Sequence, residues 1–345
     1  MRKADLYTKE GWISSELLLD CPEPFVFAIG GRGIGKTYSI LNTLHDRNTP
    51  FIYMRRTQTQ LDSISVQTLN PYNQICIDTG ADIVCEKISK QTVGFYNHFI
   101  NDKNEPEKEP EPFAIGIALS TFSTIRSLSA ERFEVLFFDE IIPEHHERPI
   151  KEEGIALANV IESINRNREL QNRKPIKCIF ASNSNFLNSD IIKTFGVLDV
   201  IDRMNRKNDF YYSNGDVAVF RFIDSPISER KKESVLYRTV NNKSFTDMSL
   251  NNMFSDADYE NVKTRPIREY NPLCSFDCVT VMKHKSKREY YIINGITSKD
   301  VYQNLPLSRK SFCRKYYYLY SAMIDKVVYY QTATAKLILE GAFNK

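Results

Sequence analysis

Four short apolar runs punctuate the first two hundred residues: "FVFAI" (Phe25–Ile29), "FIYM" (Phe51–Met54), "VLFF" (Val135–Phe138) and "IKCIFA" (Ile176–Ala181). Runs that stay apolar without alternating bury both faces, as strands inside a parallel sheet do. Between them the period changes. Ser39–Leu44 follows the first run with a helical pattern. Glu152–Leu170 places Leu157, Val160, Ile161 and Ile164 on one stripe ahead of the fourth. Such alternation of strand and helix predicts a three-layer α/β domain, a parallel sheet flanked by helices.

The stretch "NDKNEPEKEPEP" (Asn101–Pro112) follows neither period. Proline removes backbone donors and glutamate stays hydrated, so this segment is kept out of any core. Its flanks, "TVGFYNHFI" and "FAIGIALS", read as strands, which predicts a hairpin with a mobile tip. Beyond "VAVFRF" (Val217–Phe222) the chain turns polar, with "SERKKE" and several Asn between Ile227 and Asp258, the pattern of a small linker module. A region rich in Tyr and Lys follows. "CSFDCVTVMKHKSKREYYIING" (Cys274–Gly295) predicts two alternating strands around a Lys-rich turn, and Lys315–Gln331 a helix packed on them. The expected division is a first domain over 1–226, a linker over 227–258 and a smaller C-terminal domain over 259–345, without internal repeats.

Composition narrows the class. A length of 345 residues suits ~2 domains on the usual prior. The hydrophobic share of 42% and charged share of 26% are those of an ordinary globular chain. No apolar run approaches the ~18 residues of a membrane span, and the N-terminal residues lack the apolar core of a signal peptide. A cytoplasmic protein with no membrane partner is expected. The net charge of +3 conceals an asymmetry, because residues 226–345 carry 20 Lys and Arg against 12 Asp and Glu. A basic C-terminal third suits a polyanion such as nucleic acid, the plainer reading being solvated surface. The seven cysteines, Cys21, Cys76, Cys85, Cys178, Cys274, Cys278 and Cys313, are odd in number and scattered, so no disulfide framework is expected. Cys274 and Cys278 have no second pair at a zinc-like spacing. His145 and His146 before Glu147 read as a polar loop rather than a metal site.

The chemistry is concentrated in "GGRGIGKTY", which follows the first apolar run and opens a helix. Gly30, Gly35, Lys36 and Thr37 match G-x-x-x-x-G-K-[ST]. Glycines let the backbone turn so that successive N–H groups converge on one anion. Lys36 would reach the β- and γ-phosphates of ATP and Thr37 would ligate Mg²⁺, while the helix start adds its positive dipole end. Gly30, Gly31, Arg32, Gly33, Ile34, Gly35, Lys36, Thr37 and Tyr38 are the candidate nucleotide-binding residues. "VLFFDE" sets Asp139 at the carboxyl end of a buried strand, where it can hold the Mg²⁺ shell, and Glu140 next to it, where it can polarise water. Adjacent acids of this kind suit ATP-hydrolysing motors better than simple kinases. Asn183, at the end of the fourth strand, could sense the γ-phosphate or serve as a turn residue. In "NRNRE", Arg166 and Arg168 either complement the end of a helix or supply an arginine finger to a neighbouring subunit. Arg126, in "STIRSLS", is a second candidate for that role.

Taken together, "FAIGGRGIGKTY", "FIYMRRT", "LSTFSTIRS", "VLFFDE", "NRNRE", "KCIFASN", "SERKK" and "MSLNNMF" resemble the DNA-packaging ATPase of phi29-like tailed phages over most of the first ~255 residues. The resemblance implies a P-loop ATPase domain of the additional-strand (ASCE) type, then a linker and an α+β RNase H-like domain that has lost nuclease activity. It implies a homo-oligomeric ring, most simply five subunits, on the portal of an empty procapsid in the host cytoplasm. Such a ring drives double-stranded DNA inward and is absent from the mature virion. Whether a structural RNA joins it stays open. Residue by residue, Arg166 matches the arginine that reaches into the neighbour's site, and Arg126 a basic position at the same interface. Lys36, Thr37, Asp139 and Glu140 match the cradle, metal and catalytic positions. The Pro-Glu segment departs from the family pattern. Of the acids after Tyr259 (Glu260, Glu269, Asp277, Glu289, Asp300, Asp325 and Glu340), only Asp277 is expected inside a strand, with Glu289 opening the next. That is thin for two-metal cleavage. The basic surface would instead touch DNA phosphates. A GTPase is disfavoured by the lack of D-x-x-G and N-K-x-D. A small-molecule kinase, another P-loop DNA translocase, a terminase with an active nuclease and a non-enzymatic scaffold compete with the packaging motor.

Overall fold

The Phe25–Ile29 run forms β1 (Phe25–Gly30) of a large mixed sheet. In chain order the other strands of that sheet are β2 (Phe51–Arg55), β3 (Ile83–Lys87), β4 (Thr92–Ile100), β5 (Pro106–Lys108), β6 (Ala114–Ala118), β7 (Val135–Asp139), β8 (Lys177–Asn183), β9 (Tyr211–Ser213) and β10 (Val217–Phe222). The spatial order is β3-β4-β6-β2-β7-β8-β1-β10-β9, with β5 paired to β4. From β6 to β10 every pairing is parallel, and β3, β4, β5 and β9 run antiparallel to their neighbours. The computed structural model describes residues 1–101, 105–125, 130–143, 147, 150–183, 189–240, 260–295 and 307–343.

The four apolar runs became central strands because both faces of each are covered. Val26, Phe27, Ile52, Leu136, Phe137, Ile179 and Phe180 have no exposed surface. Phe27 and Phe180 pack with ring centroids 4.8 Å apart. Burying such rings stabilises the fold by ~2–3 kcal/mol each. The helix after β1 spans Lys36–Asp46 and buries Ile40, Leu41 and Leu44. The striped helix spans Glu153–Asn165 and buries all four expected stripe residues. It ends sooner than its sequence suggests, because Arg166 adopts φ 46° and ψ −126°, which no α-helix can continue through. The proline-glutamate stretch lies in a hairpin. Part of it forms β5 rather than a plain turn, with Lys108 opposite His98; residues 102–104 lie outside those described.

Chain contacts separate two compact units. The first comprises Met1–Asn185, Ser189–Phe195 and Asn208–Met253, and the second Phe186–Asn188, Gly196–Lys207 and Phe254–Lys345. In the first, the described part of the expected linker forms two short helices, Pro226–Lys232 and Val235–Thr239. Ser225 caps the former by accepting from the N–H groups of Ile227 and Ser228, with Pro226 in the first turn. "MSLNNMF" lies outside the described residues.

The second unit is built on β11 (Tyr270–Phe276), β12 (Val279–His284), β13 (Tyr290–Asn294) and β14 (Val328–Tyr330), in that spatial order. Two expectations are corrected here. The hairpin predicted over Cys274–Gly295 is a three-stranded meander, because a two-residue turn at Asp277-Cys278 splits its first half. Asp277 therefore sits exposed in that turn with φ 51°, not inside a strand. The single helix predicted over Lys315–Gln331 is a short helix, Tyr318–Ile324, followed by β14, which pairs parallel to β13. The break falls at Asp325-Lys326, where Lys326 takes φ 56°. The run "VVYY" beyond it is β-branched and aromatic, and so favours strand. Phe276 stacks on Phe312 of the Arg309–Lys315 helix at 4.4 Å, and Leu319, Tyr330 and Leu339 close the core around them.

Candidate nucleotide site

Parallel strands place their carboxyl ends on one edge of a sheet, and ligands bind in the crevice there. Here β8 lies between β1 and β7. The register sets Gly30 level with Asn183, and Asp139 level with Ala181. The ends of three strands thus converge on one cavity of about 360 Å³. It is lined by Arg32, Gly33, Gly35, Lys36, Thr37, Tyr38, Arg55, Asp139, Glu140, Ser182 and Asn183. Gly33 (φ 64°) and Gly35 (φ 88°) supply the left-handed turns that curl the loop around it.

Lys36 is buried and donates to Gly30 O at 3.0 Å, Gly31 O at 2.7 Å and Asn183 Oδ1 at 3.0 Å. Gly30 and Gly31 therefore hold the lysine rather than line the cavity. Burial pushes the Lys36 ammonium down to about 7, although Asp139 and Glu140 pull the other way. Thr37 donates its hydroxyl to Asp139 Oδ1 and Oδ2 at 3.0 and 3.1 Å. Tyr53, buried under the sheet edge, donates to Asp139 Oδ2 at 3.0 Å. A hydroxyl and a carboxylate this close make a pair of hard oxygen donors, the chemistry Mg²⁺ takes, so the residues present fit that ion. Glu140 accepts from Asn183 Nδ2 at 3.3 Å and from Arg55 Nη2 at 3.2 Å. Its φ of 70° is unusual for a bulky residue and turns the chain sharply at the end of β7.

Arg55 and Tyr53 escaped the sequence reading. Arg55 spans both acids, reaching Asp139 Oδ2 at 3.0 Å and Glu140 Oε2 at 3.2 Å. The signal available was the paired arginines closing the apolar run "FIYM". The second of these, Arg56, is buried and meets Glu153 Oε1 at 2.7 Å and Glu147 Oε2 at 2.6 Å, so it pins the start of the striped helix.

The remaining candidates separate. Ile34 has a fully buried side chain and offers the site only backbone. Arg168 is buried and its Nη2 donates to the carbonyls of Ala130, Glu131 and Phe133 at 3.0, 3.2 and 2.6 Å, a structural brace. Arg166 is exposed, lies past the helix end and does not line the cavity bordered by Lys36. It borders a different cavity of about 550 Å³ with Phe122, Ile125, Val160 and Ile164. Arg126, His145 and His146 lie outside the described residues. Among those described, no three His, Cys, Asp or Glu residues gather as a metal cluster.

The mostly parallel sheet, the glycine loop after β1 and the acids two strands away have the architecture of a P-loop α/β protein. The matching family is the podovirus DNA encapsidation protein (Gp16) family, whose model covers residues 6–271, and the chain belongs to it. Two solved structures are similar over nearly the whole chain. The phi28 gp11 DNA packaging motor has a TM-score of 0.61 at 19% identity, covering 97% of each chain. The bacteriophage phi29 viral genome packaging motor assembly has a TM-score of 0.64 at 16% identity, covering 96% of this chain and 98% of that one. Comparison with curated proteins finds no match.

Proposed function

We propose that this protein is the ATP-hydrolysing motor that drives double-stranded viral DNA into a procapsid through its portal. The observation that carries the reading is the convergence of Lys36, Thr37, Asp139, Glu140 and Asn183 on one cavity. A phosphate chain entering it would meet Lys36 and the loop amides. Thr37 and Asp139 would hold Mg²⁺, which when bound neutralises phosphate charge. Glu140 would take the proton of the water that attacks the γ-phosphorus, giving ADP and phosphate. Arg55 and Asn183 hold its carboxylate in position for that transfer. Arg166, exposed and away from the cavity of its own chain, would serve a neighbour's site in a homo-oligomeric ring, most simply a pentamer, with Arg126 at the same interface. Such a motor works in the host cytoplasm at the procapsid portal and leaves before the virion matures. A structural RNA is an open additional partner.

The second unit would touch DNA without cutting it, as a vestigial RNase H-like domain. Lys283, Lys285, Lys287 and Arg288 are exposed around the β12–β13 turn. His284 Nδ1 shapes that turn by accepting from the N–H groups of Ser286 and Lys287 at 3.1 Å each. The acids nearby are drawn to cations or hydroxyls: Glu260 to Lys326, Asp325 to Arg288, and Glu289 to Tyr270. Phosphate contacts of this kind bind every sequence and weaken steeply with salt.

The test is Lys36→Ala and Glu140→Gln in a packaging assay. Both should abolish ATP turnover and packaging while subunits still assemble on procapsids. Normal packaging by either variant overturns the assignment. Plasmid incubated with the protein and Mg²⁺ or Mn²⁺ should stay intact; nicking that Asp277→Ala removes would reinstate a nuclease.

A further inference from the structure

Lys231 approaches the glycine loop from outside the nucleotide cavity. Its Nζ donates to Arg32 O at 3.0 Å and to Gly33 O at 2.8 Å, and Lys231 is not among the residues lining the cavity. The side chain comes from the Pro226–Lys232 helix, which is firmly seated in the first unit. Ser225 caps the helix, Ile227 is buried, and Arg230 Nη2 donates to Glu10 O.

A trans peptide holds its C=O and its N–H on opposite sides, and none of the described peptides is cis. Fixing the carbonyls of Arg32 and Gly33 therefore fixes the N–H groups of Gly33 and Ile34, which point the other way. Those are successive donors in the middle of the loop, the arrangement that makes an anion nest. A cation on the carbonyl side also polarises each amide and strengthens its N–H as a donor. Gly33 also lies against Lys231. Besides its φ of 64°, a Cβ there would displace the flexible tip of Lys231 from its place beside the loop.

We propose that Lys231 is a positioning residue of the nucleotide site: from the far side of the loop it holds and polarises the Gly33 and Ile34 amides that receive a nucleoside triphosphate. Phosphate affinity then depends on the seating of the Pro226–Lys232 helix, and whatever displaces that helix loosens the grip. The inference rests on the reading of Gly30–Tyr38 as an ATP site.

The experiment measures mant-ATP binding with Mg²⁺ by fluorescence, together with ATPase KM and kcat and the melting temperature. It uses the full chain as wild type, Lys231→Met and Lys231→Arg. Lys231→Met should weaken binding and raise KM about tenfold, with a smaller effect on kcat. Lys231→Arg should recover most of the loss, since its guanidinium can reach the same carbonyls. Wild-type affinity in folded Lys231→Met overturns the proposal. So does a loss that Lys231→Arg fails to recover and that tracks a fall in melting temperature. Gly33→Ala perturbs the contact from the loop side. Because Gly33→Ala also strains the loop at φ 64°, the Lys231 variants decide the proposal, and Gly33→Ala should weaken binding in both the wild-type and Lys231→Met backgrounds. If the wild type itself does not bind mant-ATP, the nucleotide reading falls; if it binds and Lys231→Met binds equally, only this inference falls.

Discussion

Lys36 and Glu140 are joined through one side-chain amide: Asn183 receives the lysine on Oδ1 at 3.0 Å and donates to the glutamate from Nδ2 at 3.3 Å. The group proposed to meet phosphate and the group proposed to meet water are thus coupled at the end of β8. Replacing Asn183 by Ala should cut kcat about 10- to 100-fold, the worth of a hydrogen bond to charged groups at ~1.5–3 kcal/mol. Mant-ATP affinity should change less. Steady-state ATPase beside equilibrium binding separates the two, and an unchanged kcat would remove Asn183 from the site.

Burial leaves the Lys36 ammonium near 7. A bound triphosphate would restore its charge, so nucleotide binding should take up protons. At pH 8 the uptake should approach about one proton, and below pH 6 it should vanish. Calorimetric titration in buffers of different ionisation enthalpy reads this directly, and Lys36→Arg should abolish the uptake. Without nucleotide the linkage concerns stability. The unfolded chain holds this proton up to its ordinary 10.5 while the folded chain releases it near 7. The stability withheld below pH 7 is therefore recovered as pH rises toward 10.5.

Arg168 is bound up in the fold rather than in chemistry. Its Nη2 serves three carbonyls, two of them buried. Arg168→Ala should destabilise the first unit by about 2–4 kcal/mol, seen in denaturant unfolding. ATP turnover per folded subunit should stay within a few-fold of wild type.

Arg166 should behave in the opposite way. Arg166→Ala is expected to lower ATPase by ~10³-fold or more and to affect unfolding less than Arg168→Ala does. Mixed with Lys36→Ala subunits, it should regain part of the activity, since one subunit then supplies the finger and the other the cradle. No recovery at any mixing ratio rules out a role in trans.

Much of the first unit was legible because its strands are apolar on both faces and its loop chemistry is local in sequence. The Phe25–Ile29 run, Lys36, Asp139 and Glu140 fall in the elements where periodicity and spacing put them. What was hidden depends on long-range meeting. Arg55 and Tyr53 looked like the end of a strand until β7 was paired beside β2. Arg168 looked like Arg166 until the carbonyls around Phe133 were brought to it. The second unit was misread at two points, Asp277 and Lys326, and both carry a positive φ on a non-glycine residue. Local pattern gives little warning of such turns, because the sequence at each offers no glycine to mark them.

The backbone of Arg166, at φ 46° and ψ −126°, is one that glycine adopts at little cost and arginine does not. With Arg166 in the role proposed above, the chain carries here a residue that a search for thermal tolerance would discard. A library ranked by melting temperature should enrich glycine at this position, and the hardiest variants it returns would be motors that no longer run.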